Sequence, residues 1–266
     1  MLIEWLKHTL IRCPAALKDA GVLYDLIALE SRAHRLRRAW QPHHETCRHL
    51  ITAWAEQTPG RDCAVILGSG LLLEIPLEVL TRTFRRVVLV DLFHMPSVRR
   101  AVRSFPGVEL CETDLTGCLD RMAETAARGS LPDPQAVFPQ AVEADLVISA
   151  NCLSQLSLRP AVVAWHGGAL IPDRIRQWEA QVIAAHLTAL QALPGRVGLI
   201  CDTARIGTHI RTGAVQERYD LVHGVALPAF AQAPLHWDWQ VAPAGEDHRQ
   251  IRYHHTMTGG LLASGG

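Results

Sequence analysis

Residues 64–101 constrain this chain more than any other segment. Ala64-Val65-Ile66-Leu67 is an unbroken apolar run, Gly68-Ser69-Gly70 is a glycine turn, and Val87-Val88-Leu89-Val90 is a second β-branched run ending at Asp91. Apolar runs of this length without alternation fit strands buried on both faces. A helix is expected over 71–83, which makes the segment a βαβ unit. In such a unit glycines let the backbone approach a ligand, and a carboxylate after the second strand can accept hydrogen bonds from the hydroxyls of a ribose. An adenosine moiety lying across the strand ends is therefore the expectation. The plain alternative is a tight strand-to-helix turn at Gly68 and Gly70, with Asp91 as a helix cap.

Further strands and helices alternate after this unit. Strands are expected at 108–111, 145–150 and 196–201, and helices at about 96–103, 119–128 and 172–193. The 129–142 connection, rich in proline and glutamine, reads as irregular. Two alternating stretches, 236–241 and 250–255, flank Pro243-Ala244-Gly245 and read as a hairpin. The expected fold is α/β: a doubly wound, mostly parallel sheet with a C-terminal antiparallel hairpin and an N-terminal helical cap. The cap spans 1–60, the sheet domain 61–258 and a frayed tail 259–266. Within the cap a helix is expected over about 45–56, with Trp40, Pro42, His43 and His44 breaking the pattern before it.

Charge and cysteine content bound the function. Among 266 residues, 26 Lys+Arg balance 26 Asp+Glu, which argues against general nucleic-acid binding. The seven cysteines are scattered and form no C-x-x-C pair, so free thiols in a reducing compartment are expected. With no signal-peptide pattern and no membrane-length apolar run, a cytoplasmic protein without membrane contact is expected.

Taken in order, these motifs resemble those of the Rossmann-like (class I) S-adenosylmethionine-dependent methyltransferases over roughly 63–257. Val65-Ile66-Leu67-Gly68-Ser69-Gly70 resembles the family's first motif. The resemblance implies that Gly68, Ser69 and Gly70 lie beneath the methionine part of the cofactor and that Asp91 takes the ribose. Asp114, in Glu112-Thr113-Asp114-Leu115, is similar to the acidic residue that contacts the adenine amino group. Residues 145–151 resemble the fourth-strand motif and imply that Asn151 lies beside the transferable methyl. Ile66 stands where the family usually carries an acidic residue, Leu72 where it often has a third glycine, and no acceptor motif is visible. The implied activity is methyl transfer from S-adenosylmethionine to a small-molecule acceptor.

Two other classes stay open. One is a nicotinamide-dependent oxidoreductase, whose G-x-G-x-x-G turn would place the bulky Leu73 at its last glycine. The other is a non-catalytic protein that keeps the fold to bind a ligand or a partner. Outside the motifs, His94 and His166 are candidate catalytic bases, because histidine titrates near neutrality. Arg35, Arg38 and His43 in the cap are candidates for binding the acceptor, the arginines suiting an anionic one. The ordinary readings are a solvated arginine face and incidental surface histidines. His43, His44, Cys47 and His49 fit no zinc spacing, and no metal site is expected.

Overall fold

The computed structural model describes residues 2–167 and 171–263. The cap is helical: α1 (Leu2–Leu10), α2 (Ala15–Asp19), α3 (Val22–Arg35) and α4 (Arg37–Gln57). The α/β part runs β1 (Cys63–Leu67), α5 (Leu77–Thr83), β2 (Arg86–Asp91), α6 (Pro96–Ala101), β3 (Val108–Glu112), α7 (Leu119–Ala127), β4 (Leu146–Ala150), α8 (Leu158–His166), α9 (Pro172–Gln191) and β5 (Arg196–His209). Three further strands follow: β6 (Val215–Asp220), β7 (Leu235–Ala242) and β8 (Ile251–Leu261). Among the described residues they form one sheet in the order β3-β2-β1-β4-β5-β8-β7, with β6 paired to β5. The first five strands are parallel, and β6, β7 and β8 add antiparallel pairs. This is the doubly wound Rossmann-like sheet with a closing hairpin that the sequence pattern calls for.

Both faces of the sheet are covered, which is why β1 and β4 are buried at every position and apolar at all but Ser149. Ala64, Ile66, Leu89 and Ile148 point to the face that carries Trp40, Cys47, Ile51 and Trp54 of α4. Val65, Leu67, Val90 and Val147 point to the face under Ile183, Leu187 and Leu190 of α9. On α3, Leu23 and Ile27 pack on Phe93, Met95 and Val98, tying the cap to the segment after β2.

Several expectations are corrected. The helix expected over 71–83 forms only from Leu77. Gly70 and Leu72 have φ of 52° and 63°, and Pro76 disfavours helical backbone at the residue before it, so residues 71–76 are a loop. Helix α4 does not break at Pro42 and runs through His43 and His44. Losing one helical hydrogen bond at Pro42 is offset by the packing of Trp40, His43 and Cys47 against the sheet. β5 extends past the expected 201, and its exposed partner β6 carries no apolar pattern by which to find it. The segment expected to fray from 259 instead holds β8 through Leu261, paired to β5 and β7; the rest of that call, 264–266, lies outside the described residues. All seven cysteines are unpaired. No helix among the described residues is long and apolar enough to cross a membrane.

Candidate functional site

A cavity of about 250 Å³ opens at the carboxyl ends of β1 to β4, roofed by the cap. Its floor is the glycine turn with Asp91, and its far wall is Thr113–Leu115 after β3 together with Asn151 and Cys152 after β4. The roof is Val22, Leu26 and Leu29 of α3 and Trp40 and His44 of α4, with Trp239 of β7 closing one side. This is the crevice in which open α/β sheets bind ligands.

The turn has a specific polarity. Gly68 N–H and Ser69 N–H both donate to the Val90 carbonyl (2.9 and 3.1 Å), and Gly70 N–H donates to Asp91 Oδ2 at 2.6 Å. Leu92 N–H donates to Asp91 Oδ1 at 2.8 Å. The carboxylate of Asp91 is thus fixed by one donor on each oxygen, and each oxygen retains lone-pair capacity at the cavity. Burial pushes its pKa up, against the pull of the Gly70 N–H and other donors. Gly68 has φ 76°, and a Cβ there would meet Cys152 Cβ at 2.4 Å, so only glycine fits. Burial pushes the Cys152 thiol up to about 12, away from its thiolate form.

The loop that replaces the expected first turn of α5 delivers Glu74 to the cavity. Its Oε1 contacts His43 Nε2 at 3.0 Å and accepts from Asn151 Nδ2 at 3.2 Å. Trp237 Nε1–H, which can only donate, meets His43 Nδ1 at 3.1 Å. His43 Nδ1 is therefore the acceptor, and the ring proton sits on Nε2 and goes to Glu74. His43 also stacks on Trp239, with ring centroids 4.2 Å apart. Burial alone would raise the carboxyl of Glu74; the hydrogen bonds from His43 and Asn151 outweigh it and hold it below the usual range. Next to it, burial pushes His44 down to about 4.

The candidates read from sequence divide. Gly68, Gly70, Asp91, Asp114 and Asn151 line the cavity, and His43 stands behind it on Trp239. Ser69 is buried beneath the turn. Asn151, in left-handed backbone (φ 52°), keeps Oδ1 without a partner. Asp114 accepts from Thr116 N–H and Oγ1–H on one oxygen and from Cys118 and Leu119 N–H on the other, at 2.7–2.9 Å. Those four bonds fill a carboxylate, so it serves the turn before α7 and has no acceptor left for an adenine amino group.

The remaining candidates lie elsewhere. His94 is a core histidine, fully buried with Nε2 at 3.1 Å from the Leu89 carbonyl, and burial lowers its pKa. His166 is the exposed last residue of α8 and does not line the cavity. Arg35 bonds Glu246 Oε1 at 2.7 Å in the β7–β8 loop, and Arg38 is exposed, so neither lines the cavity. Glu74, His44, Trp40 and Trp239 line the cavity beyond the residues the sequence points to; they come from the loop after β1, from α4 and from β7, brought together only by packing, so only the histidine pair His43-His44 carries a local signal.

The fold and cavity define a Rossmann-like α/β protein with a capped ligand crevice. No protein-family model and no curated protein matches the chain. Solved structures to which it is similar include a Burkholderia thailandensis 1,6-didemethyltoxoflavin-N1-methyltransferase with 1,6-didemethyltoxoflavin and S-adenosylhomocysteine bound (15% identity, TM-score 0.38, 94% of this chain and 92% of that one). Others are a DhpI complex with S-adenosylhomocysteine (15% identity, TM-score 0.35, 92% and 98%) and a precorrin-6y C5,15-methyltransferase from Geobacter metallireducens (14% identity, TM-score 0.30, 79% and 86%). Likeness at this level concerns the course of the chain alone.

Proposed function

We propose that the protein binds S-adenosylmethionine in this crevice and serves methyl transfer to a small-molecule acceptor. The observation that carries the reading is the polarity of the glycine turn. A dinucleotide pyrophosphate needs free N–H groups at a helix N-terminus. Here the N–H groups of Gly68, Ser69 and Gly70 are all spent on Val90 and Asp91, and no helix begins until Leu77. The lining is also acidic. Asp25 is paired with Arg159 and Asp114 is filled, which leaves Asp91 and Glu74 without an arginine or lysine partner. Such a site suits a ligand with a sugar diol and positive charge, and disfavours one with phosphates.

S-adenosylmethionine supplies, when bound, a methyl group already activated on a sulfonium sulfur. Asp91 would accept the ribose hydroxyls, the backbone at 68–70 would support the methionine part, and Asn151 would lie beside the reacting end. Thr113 and Leu115 would flank the base. The cap would roof the crevice, exclude water and orient the acceptor, and orientation is the larger part of what such a reaction asks of a protein.

Titration calorimetry tests this. S-adenosylhomocysteine is expected to bind and NADH not to. Asp91→Asn is expected to weaken S-adenosylhomocysteine by about 10- to 100-fold, the worth of hydrogen bonds to a charged group. Binding of NADH but not of S-adenosylhomocysteine would end the reading.

A further inference from the structure

Resting on that reading, we infer that the acceptor is a flat, uncharged ring carrying an N–H or O–H donor, and that Glu74 Oε2 receives that donor. Glu74 lines the cavity, and both of its bonds, to His43 and Asn151, fall on Oε1. Among the described residues Oε2 has no hydrogen-bond partner, and the side chain of Glu74 keeps 18% of its surface accessible where the residue lines the cavity. A carboxylate pinned on one oxygen presents the other as a fixed, directional acceptor. The surroundings match a ring. Trp40 and Trp239 meet edge to face, centroids 5.2 Å apart, and both line the cavity with His44 and the apolar residues of α3. Trp40 spends its N–H on the Val241 carbonyl (3.1 Å), so the ring it offers is apolar.

The same geometry argues against an anionic acceptor. The cap arginines face away from the cavity, with Arg32 and Arg35 paired to Asp247 and Glu246, while Arg159 is held by Asp25. An anion would instead meet the uncompensated carboxylate of Glu74. A ring donor opposite Oε2 has a partner. Its methylated counterpart leaves Oε2 desolvated and bare, which is the contrast by which a polar site rejects an analogue.

The test uses the protein saturated with S-adenosylhomocysteine, titrated with benzimidazole against 1-methylbenzimidazole and with 2-naphthol against 2-methoxynaphthalene, followed by tryptophan fluorescence. The donor-bearing member of at least one pair is expected to bind at least about tenfold more tightly, and which pair responds separates N–H from O–H. In Glu74→Gln the donors of His43 and Asn151 claim the amide oxygen, which turns its NH2 toward the ring, donor against donor. The preference is then lost while S-adenosylhomocysteine affinity holds within about threefold. Glu74→Asp, which withdraws the carboxylate by one methylene, is expected to lose the preference as well and covers the case in which the glutamine variant does not fold. If no pair shows a preference, if the preference survives in both variants, or if Glu74→Gln weakens S-adenosylhomocysteine itself tenfold, the inference falls and the underlying reading stands. If the wild type does not bind S-adenosylhomocysteine, that reading falls instead.

Discussion

His186 shows how one buried side chain sets a response of the whole fold. It is a buried residue of α9, with Nε2 2.9 Å from Ser149 Oγ and Phe138 edge-on to its ring, and burial pushes its pKa down to about 3. In the unfolded chain the ring titrates near the ordinary value of about 6.5. Between those values the unfolded state binds more protons, so stability is intact above about 6.5 and drains as pH falls toward 3. At pH 5 the loss from this group is about 2 kcal/mol. Urea unfolding at pH 7.5 and pH 5 measures it, and His186→Gln, which keeps a partner for Ser149, is expected to shrink the gap between the two by about that amount. If the gap is unchanged, the acid sensitivity lies elsewhere. The sequence disclosed residues of this kind unevenly. The placing of Asp91 and the glycine turn at the cavity was legible because both positions follow from neighbours within one βαβ unit. Glu74 was not, because its partners stand 31 and 77 positions away. The placing of His94 and His166 off the cavity was not legible, because position along the chain says nothing of the direction in which a ring points.

At the scale of elements, the arginines of α3 act as a clamp. Arg32 reaches Asp247 Oδ1 (3.0 Å) and Arg35 reaches Glu246 Oε1 (2.7 Å), while Arg205 of β5 grips the other oxygen of Asp247 (2.8 Å). Partly exposed ion pairs contribute little to global stability, but a network can hold a loop in place. Asp247→Asn is therefore expected to leave the midpoint of unfolding nearly unchanged and to speed amide hydrogen exchange in residues 243–250 selectively. Uniform exchange across the loop in both proteins would show that backbone bonds alone fix it. The central parallel strands β1, β2 and β4 were legible because burial on both faces demands nearly unbroken apolar runs. The start of α5 was not, because Leu71–Leu73 suit a helix locally and the constraint comes from Gly70, Leu72 and Pro76 together. Nor was β6, which is polar and exposed along most of its length and is held by ladder bonds to β5.

At the scale of the whole molecule, the boundary expected at residue 60 becomes a question of cooperativity. Trp40, Cys47, Ile51 and Trp54 of α4 belong to the same apolar cluster as the strand residues Ala64, Ile66, Val87 and Ile148. Gly198 of β5 lies so close under Trp54 that a Cβ there would meet the indole at 2.4 Å. Burying a large apolar side chain is worth roughly 2 kcal/mol. Undocking α4 alone would thus cost much of the ~5–15 kcal/mol that holds a typical domain folded. The cap should not melt ahead of the sheet. Calorimetry is expected to give one transition, coincident with the change in tryptophan fluorescence, and S-adenosylhomocysteine is expected to move that transition upward as a unit because the site proposed for it is made of both parts. Gly198→Ala is expected to lower the same single transition by about 5 °C, since overpacking against Trp54 costs about 1–3 kcal/mol and each kcal/mol moves a chain of this size by about 2–4 °C. A separate early transition that carries the fluorescence change and ignores the ligand would mean that the cap is an independent body resting on the sheet, and that the roof of the crevice opens without disturbing its floor.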